Sequence, residues 1–347
     1  MDDKITTLQS GANFDPRKQD DRNKDYLFNE VVYAPAPVIW EEKKEWRHFS
    51  IFNQDGSGSC VAQTMAKLLG VMYFIENGYY VHFSATHIYQ RRANKPEGGM
   101  SGVDAFEIAR QGVTLEELVK SQNMNDQQMD GEKIAEYKNK VGEIFKIGGY
   151  VQVKIGDIET VASIIQQTGK AVMVWFYFNI DEWKKGVPTI NGTVDKNGSA
   201  TIRHSVTAVD FTLYEGKKAL VVEDSWGVDS GINGQRIITE EFYNERNFFA
   251  GYAMNFDFDR ITNTEKPSYN FLYDLQFGMT NNDIVKLQDI LKYEGVFPVN
   301  IQSTGYFGAI TKKAVQKLQD KYNIAKETDP GYGRVGPRTR NLLNFRY

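Results

Sequence analysis

The chain has one cysteine, Cys60, in the stretch Asn53-Gln54-Asp55-Gly56-Ser57-Gly58-Ser59-Cys60-Val61-Ala62. A lone cysteine is most often a small buried hydrophobe, so its setting has to argue for chemistry. Small, flexible residues lead into it, and after it Val61, Met65, Leu68, Leu69, Met72 and Ile75 recur at helical spacing until Gly78 ends the run. Cys60 is therefore expected on the first turn of a helix. There the dipole and the unpartnered amide N–H groups both stabilise an anionic sulfur. Gln54, on the loop just upstream, carries a side-chain amide that with the Cys60 N–H forms a candidate oxyanion hole. A base is needed next. His204 stands near the start of Arg203-His204-Ser205-Val206-Thr207-Ala208-Val209-Asp210-Phe211, which alternates like a half-buried strand, and another strand expected over 218–223 runs into Asp224-Ser225-Trp226-Gly227. Thiol, imidazole and carboxylate thus stand at three element ends in the order nucleophile, base, orienter.

The blocks QDGSGSCVA, RHSVTAVDF and VVEDSWGVDSGINGQRI, separated by 144 residues from Cys60 to His204 and 20 from His204 to Asp224, resemble the papain-like cysteine peptidases. That resemblance implies that Cys60 attacks a scissile carbonyl, that His204 holds the proton and returns it to the leaving amine, and that Gln54 steadies the oxyanion. It implies too that Trp226 shields the contact between His204 and Asp224, and that Gly98-Gly99 forms the edge that bonds an extended substrate. Three departures stand out. Asp224 replaces the family's Asn, Val61 replaces an aromatic after the cysteine, and Ser230 stands where a second Trp often lines the leaving-group side. A carboxylate can accept from an imidazole N–H as an amide oxygen does, and its charge favours the imidazolium.

The elements that must hold these residues follow from the rest of the chain. At 347 residues and 41% hydrophobic content it has room for one large and one small domain. A net charge of −4 argues against a nucleic-acid binder of the basic-patch kind, and no apolar run is long enough to insert in a membrane. One cysteine excludes an intramolecular disulfide, and four histidines without an HExxH pattern give no metal site; no cofactor is expected. Residues 1–30 read as a polar arm, surface-wrapping or mobile, too short for a folded inhibitory domain. Residues 31–46 read as an extended strand. Helices are expected over 84–92, 103–111, 115–121 (with Thr114 as N-cap), 131–145 and 158–167, and strands over 150–155, 171–178, 190–194, 205–211, 219–222 and 235–238. The expectation is an α+β, two-lobed fold over 31–262, helical half first, with substrate lying in a cleft between the halves.

A polar linker over 263–269 leads to 270–347, where the charge changes sign. Residues 268–347 hold 11 Lys+Arg against 7 Asp+Glu, a net +4, so the remainder carries −8. Three short helices are expected over 282–293, 309–322 and 337–344, two of them opened by the similar loops Gly305-Tyr306-Phe307-Gly308 with Thr311 and Gly333-Arg334-Val335-Gly336-Pro337 with Thr339. With Leu287-Gln288 and the 315–319 run Val-Gln-Lys-Leu-Gln, this resembles the three-helix peptidoglycan-binding modules. The resemblance implies wall contact through Tyr306, Phe307, Thr311, Arg334 and Thr339. An insertion over 326–332 departs from the pattern.

Together these readings describe a cysteine peptidase or amidase brought to bacterial peptidoglycan by its C-terminal module, with a peptide or protein substrate. The start of the chain has no export-signal pattern, which points to action after lysis or within a virion, with virion proteins as partners. Two alternatives stand beside it: a catalytically silent virion or adhesion protein using the fold as scaffold, and a protein-processing protease with a docking module.

Overall fold

A computed structural model describes residues 11–18, 37–257, 266–297 and 303–347. The chain divides into two compact units, 1–138 with 146–256, and 139–145 with 257–347.

The first unit is organised around helix α1, Cys60–Asn77, buried almost all round from Cys60 to Tyr73. It ends where Gly78 turns left-handed (φ +80°) and returns its N–H to the Phe74 carbonyl. Helices α2 (Ala85–Tyr89) and α3 (Gly102–Gln111) pack against α1, each N-capped by a serine, Ser84 and Ser101. Two short helices follow in the chain, α4 (Asp126–Gly131) and α5 (Glu136–Gly142), and the residues of α5 from 139 onward belong to the second unit. The helix expected over 115–121 is absent. Glu116 accepts from the backbone N–H groups of Ser121 and Gln122 and from the Ser121 hydroxyl, which curls this segment into a turn.

The other half is one antiparallel sheet. Its strands are β1 (Tyr150–Gln152), β2 (Val172–Phe178), β3 (Ile202–Tyr214), β4 (Lys217–Glu223), β5 (Gln235–Thr239) and β6 (Asn247–Ala253), in the order β1-β6-β2-β3-β4-β5. The apolar alternation of β2 puts Val174, Phe176 and Phe178 on one face, under α6 (Ile158–Thr168) and α8 (Glu240–Arg246). A short helix, α7 (Ile180–Trp183), follows β2 and contributes Trp183 to the same core. Val209 and Val221 share a second cluster with Val71 of α1. The sheet is thus sandwiched between the nucleophile helix and the α6/α8 layer.

Two expected strands do not form. Residues 190–194 carry no strand: Asn191 N–H donates to Glu182 Oε1 at 2.7 Å, and the Gly192 carbonyl accepts from Arg246, so side chains take the groups a partner strand would use. Of the segment 31–46, residues 31–36 lie outside the described residues, and 37–46 run as an extended strap without a ladder. That strap is tied down by Leu213 N–H to the Glu41 carbonyl and by Lys43 N–H to Thr212 Oγ1. Strand β6, second from one edge of the sheet, was not foreseen, because Asn-Phe-Phe-Ala-Gly-Tyr-Ala has no period-two alternation.

The second unit holds α9 (Asn282–Tyr293), α10 (Ala309–Lys321) and α11 (Pro337–Arg346), each within two residues of its expected bounds. Leu287, Ile290, Leu291, Phe307, Val315, Leu318, Val335 and Leu343 fill its core.

Candidate active site

Cys60 is the first residue of α1 and has no exposed surface. The turn before it brings Gly58 against Gly99: a Cβ on Gly58 would stand 2.8 Å from the Gly99 nitrogen. Only glycine fits that approach. One turn into α1, Thr64 Oγ1 accepts from Ser205 Oγ of β3 at 2.9 Å, which fixes the strand's neighbouring residue, His204, beside the start of the helix. After Asp224, Cys60 is the group that favours the charged form of His204.

On its other side, His204 Nε2 lies 2.7 Å from Asp224 Oδ1. Both are buried. Burial works against a charge on the imidazole, but the Asp224 carboxylate, and after it Cys60, outweighs burial and pushes the His204 pKa up to about 9. Burial also works against a charge on Asp224. There His204 and Arg236, with the Trp183 N–H, prevail and hold the carboxyl well below its usual range. Asp224 Oδ1 also accepts from the Ser225 N–H at 2.7 Å, while Oδ2 accepts from Trp183 Nε1 at 2.9 Å and Arg236 Nε at 3.0 Å. Aromatic rings enclose the pair. Trp226 lies over the imidazole, centroids 4.7 Å apart and 34° from parallel, and Trp183 and Phe178 meet it edge-on.

The other expected residues fall as follows. Gln54 is buried and held by Ser225, whose carbonyl accepts the Gln54 N–H and whose hydroxyl donates to Oε1. Its side-chain amide donates to the Ser57 carbonyl, which uses one of its two hydrogens. Ser230 accepts from Arg236 at 2.6 Å and so supports the Asp224 side of the site. Gly98 and Gly99 do lie beside the nucleophile loop, but the edge that pairs with an extended segment is one residue further on. Met100 N–H donates to the Gly11 carbonyl at 2.9 Å, and Asn13 N–H donates to the Met100 carbonyl at 3.0 Å.

That segment is the described part of the N-terminal arm, expected on the surface. Ala12 N–H donates to the Arg203 carbonyl, Asn13 Nδ2 to the Gly98 carbonyl, and the Phe14 ring packs at a tilt against Phe248 with Arg203 over its face. Gly11 lies directly on the thiol, since a Cβ there would come within 2.7 Å of Cys60 Sγ and 2.3 Å of the Gly58 carbonyl oxygen. Residues 11–13 therefore lie between the helical half and the sheet, bonded to Met100 on one side and Arg203 on the other. No sequence signal marked them, because the contact with the thiol is made by a glycine. Arg236 and Trp183 were also missed. A charged residue in the otherwise apolar run Ile237-Ile238 that follows it was the available sign for Arg236.

In the C-terminal unit, the residues expected to touch the wall are mostly interior. Tyr306, Phe307, Thr311 and Thr339 are buried, and Arg334 alone of the five is exposed. A side chain without surface cannot contact a polymer outside, so the signature positions serve the loops instead. Gln288 donates to the Tyr306 carbonyl and Thr311 Oγ1, both at 2.9 Å, and accepts from the Gly305 N–H. Gln319 repeats this one helix later, donating to the Arg334 carbonyl and Thr339 Oγ1 at 2.9 Å and accepting from the Gly333 N–H.

Residues 34–248 match the family model described as papain family cysteine protease, and residues 280–343 match that described as "Putative peptidoglycan binding domain". Among solved structures, the chain is similar to xylellain, a cysteine protease from Xylella fastidiosa, at 17% identity and TM-score 0.56, covering 71% of this chain and 96% of that one. It is similar also to procathepsin B S9 from Trypanosoma congolense (16% identity, 73% and 88% covered, TM-score 0.52) and to digestive procathepsin L 3 of Tenebrio molitor larval midgut (16%, 72% and 77%, 0.51). No curated protein matches the chain. No helix among the described residues is long and apolar enough to cross a membrane. With the family model spanning well over half of its length, the chain belongs to the papain family of cysteine peptidases and carries a C-terminal peptidoglycan-binding domain.

Proposed function

We propose that this protein hydrolyses peptide bonds in bacterial peptidoglycan, with Cys60 as nucleophile, His204 as its proton partner, Asp224 as the group that orients His204, and Gln54 with the Cys60 N–H as oxyanion donors. The observation that carries this reading is the placement of one imidazole between the only thiol and a buried carboxylate 2.7 Å away. As the reaction begins, the Cys60 proton passes to His204, leaving a thiolate beside an imidazolium. Sγ attacks the carbonyl carbon, and the oxyanion takes its hydrogen bonds from the Cys60 N–H and the second hydrogen of the Gln54 amide. His204 passes its proton to the leaving amine. It then takes one from the water that opens the thioester and returns the thiolate. Trp226 and Trp183 keep bulk water from the ion pair. The 31–262 segment does this chemistry, and the 270–347 module holds the enzyme on its polymer, raising local substrate concentration.

Gly11 covers the sulfur, so the 11–14 segment must leave the cleft before a substrate enters. Epoxide labelling of the intact protein, read by mass spectrometry, tests the chemistry. Modification confined to Cys60, faster without residues 1–18 and lost in His204→Ala, supports it. Labelling no faster than an ordinary thiol in the shortened chain, and indifferent to His204, refutes it and favours the scaffold reading.

A further inference from the structure

Asp224 has more partners than an orienting residue needs. An asparagine at this position could satisfy His204 through its single oxygen, and its NH2 group would then face Trp183 Nε1 and Arg236 Nε, two groups that can only donate. The carboxylate accepts on both sides. Arg236 is thus the physical reason that the residue at 224 carries charge. It is buried in β5, and each face of its guanidinium is used: Nε to Asp224 Oδ2, one terminal nitrogen to the Lys185 carbonyl at 3.1 Å, the other to Ser230 Oγ at 2.6 Å. An arginine so anchored cannot swing away, and its charge stays fixed behind Asp224.

The charge balance follows. An unaccompanied buried carboxylate would bind the imidazolium so firmly that the ring would release its proton to a leaving amine only reluctantly. A guanidinium on the far oxygen cancels much of that field while leaving the near oxygen in place to accept from Nε2. Asp224 after β4 and Cys60 on α1 are the ionisable groups facing His204, with Arg236 on β5 acting through Asp224. Phe178 on β2, Trp183 on α7 and Trp226 present only rings.

We propose that Arg236 is a positioning residue of the catalytic pair, which by locking Asp224 Oδ2 sets both the orientation of His204 and the strength with which His204 holds its proton. This rests on the proposed roles of Cys60 and His204, but its electrostatic part can be read without turnover. The Lys185 to Ser230 clamp makes the device specific to a planar, forked cation.

The test is a pH titration of the histidine ring signals by NMR in the full-length protein, run beside the pH profile of peptide hydrolysis. The variants are Arg236→Gln, Arg236→Lys, Asp224→Asn and the double Asp224→Asn/Arg236→Gln. With Arg236→Gln, His204 should hold its proton to higher pH than in the wild type, the alkaline limb of the profile should move the same way, and kcat should fall while KM holds. Arg236→Lys keeps the charge and loses the fork, so its titration should stay close to wild type while kcat drops. Asp224→Asn alone leaves a buried guanidinium unpaired, and the double variant should recover about tenfold over that single variant, a coupling in the range expected for contacting charged groups. An unmoved His204 titration in folded Arg236→Gln, or strictly additive kinetics, overturns the inference. If Arg236→Gln does not fold, the kcat of folded Arg236→Lys decides the positioning role, and a kcat equal to wild type overturns it. A shifted titration in a protein that hydrolyses nothing would uphold the electrostatics and reject the proposed function instead.

Discussion

Two buried polar networks hold loops in this chain, and they are built from opposite chemistry. Around Asp224, two of the partners, His204 and Arg236, can carry charge, and the interactions run from sulfur through imidazole and carboxylate to guanidinium. In the C-terminal module, Gln288 and Gln319 each clip a glycine loop to a threonine with neutral groups only. A neutral amide clip fixes shape and does not titrate. A charged chain costs more desolvation but can hold and release a proton. The first kind of network suits a site that must move a proton, the second a site that only needs a contour.

The comparison breaks hardest at the thiol. Cys60→Ala should remove hydrolysis altogether, a loss on the order of 10⁴-fold or more, while binding of the protein to purified sacculi in a pelleting assay stays as it was. Asp224→Asn comes next. By analogy with carboxylate loss in other nucleophile–histidine systems, kcat should fall by roughly 10²–10⁴-fold, and the alkaline limb should move to lower pH, because the group that raises the His204 pKa to about 9 loses its charge. An unmoved limb would deny the carboxylate that role. The same pair links folding to pH. His204 titrates higher folded than unfolded, so its stabilising effect is full below about 6.5 and is lost as pH rises through about 9. Asp224 titrates lower folded than unfolded, so its contribution is present above about 3.9 and lost on acidification.

The neutral clips should behave otherwise. Gln288→Leu or Gln319→Leu strands loop N–H and hydroxyl groups and should cost about 1–3 kcal/mol of the module's stability, by the same amount at pH 5 and pH 9 in denaturant melts. Hydrolysis of a soluble peptide should be untouched. The smallest effect is expected of Arg334→Ala, the one exposed residue of the five, which should weaken sacculus binding by only a few fold. A large loss there would put most of the wall contact on that loop.

Much of this site was legible from residue type alone. Cys60 stood out as the only thiol, at a helix start that the structure reproduces at the same residue, and His204 and Asp224 followed from strand ends. What stayed hidden were contacts made without a distinctive side chain. Gly11 reaches Cys60 through its backbone, β6 is buried on both faces and loses its alternation, and Arg236 acts through a residue twelve positions away. The module taught a different lesson. Its signature aromatics and threonines were legible as a pattern, yet Phe307, Thr311 and Thr339 carry the fold rather than its outer surface. Neither domain speaks to a lysis or virion role, since that expectation rested on the first residues of the chain, which lie outside the described part.

The central claim is that a thiol peptidase acts on the polymer its module holds. The direct measurement is mass spectrometry of soluble fragments released from purified peptidoglycan, by wild type, by Cys60→Ala and by the chain lacking residues 1–18. The account predicts new peptide ends with wild type, more with the shortened chain, and none with Cys60→Ala. Equal release by Cys60→Ala, or no release by a shortened chain whose Cys60 takes up an epoxide rapidly, would contradict it.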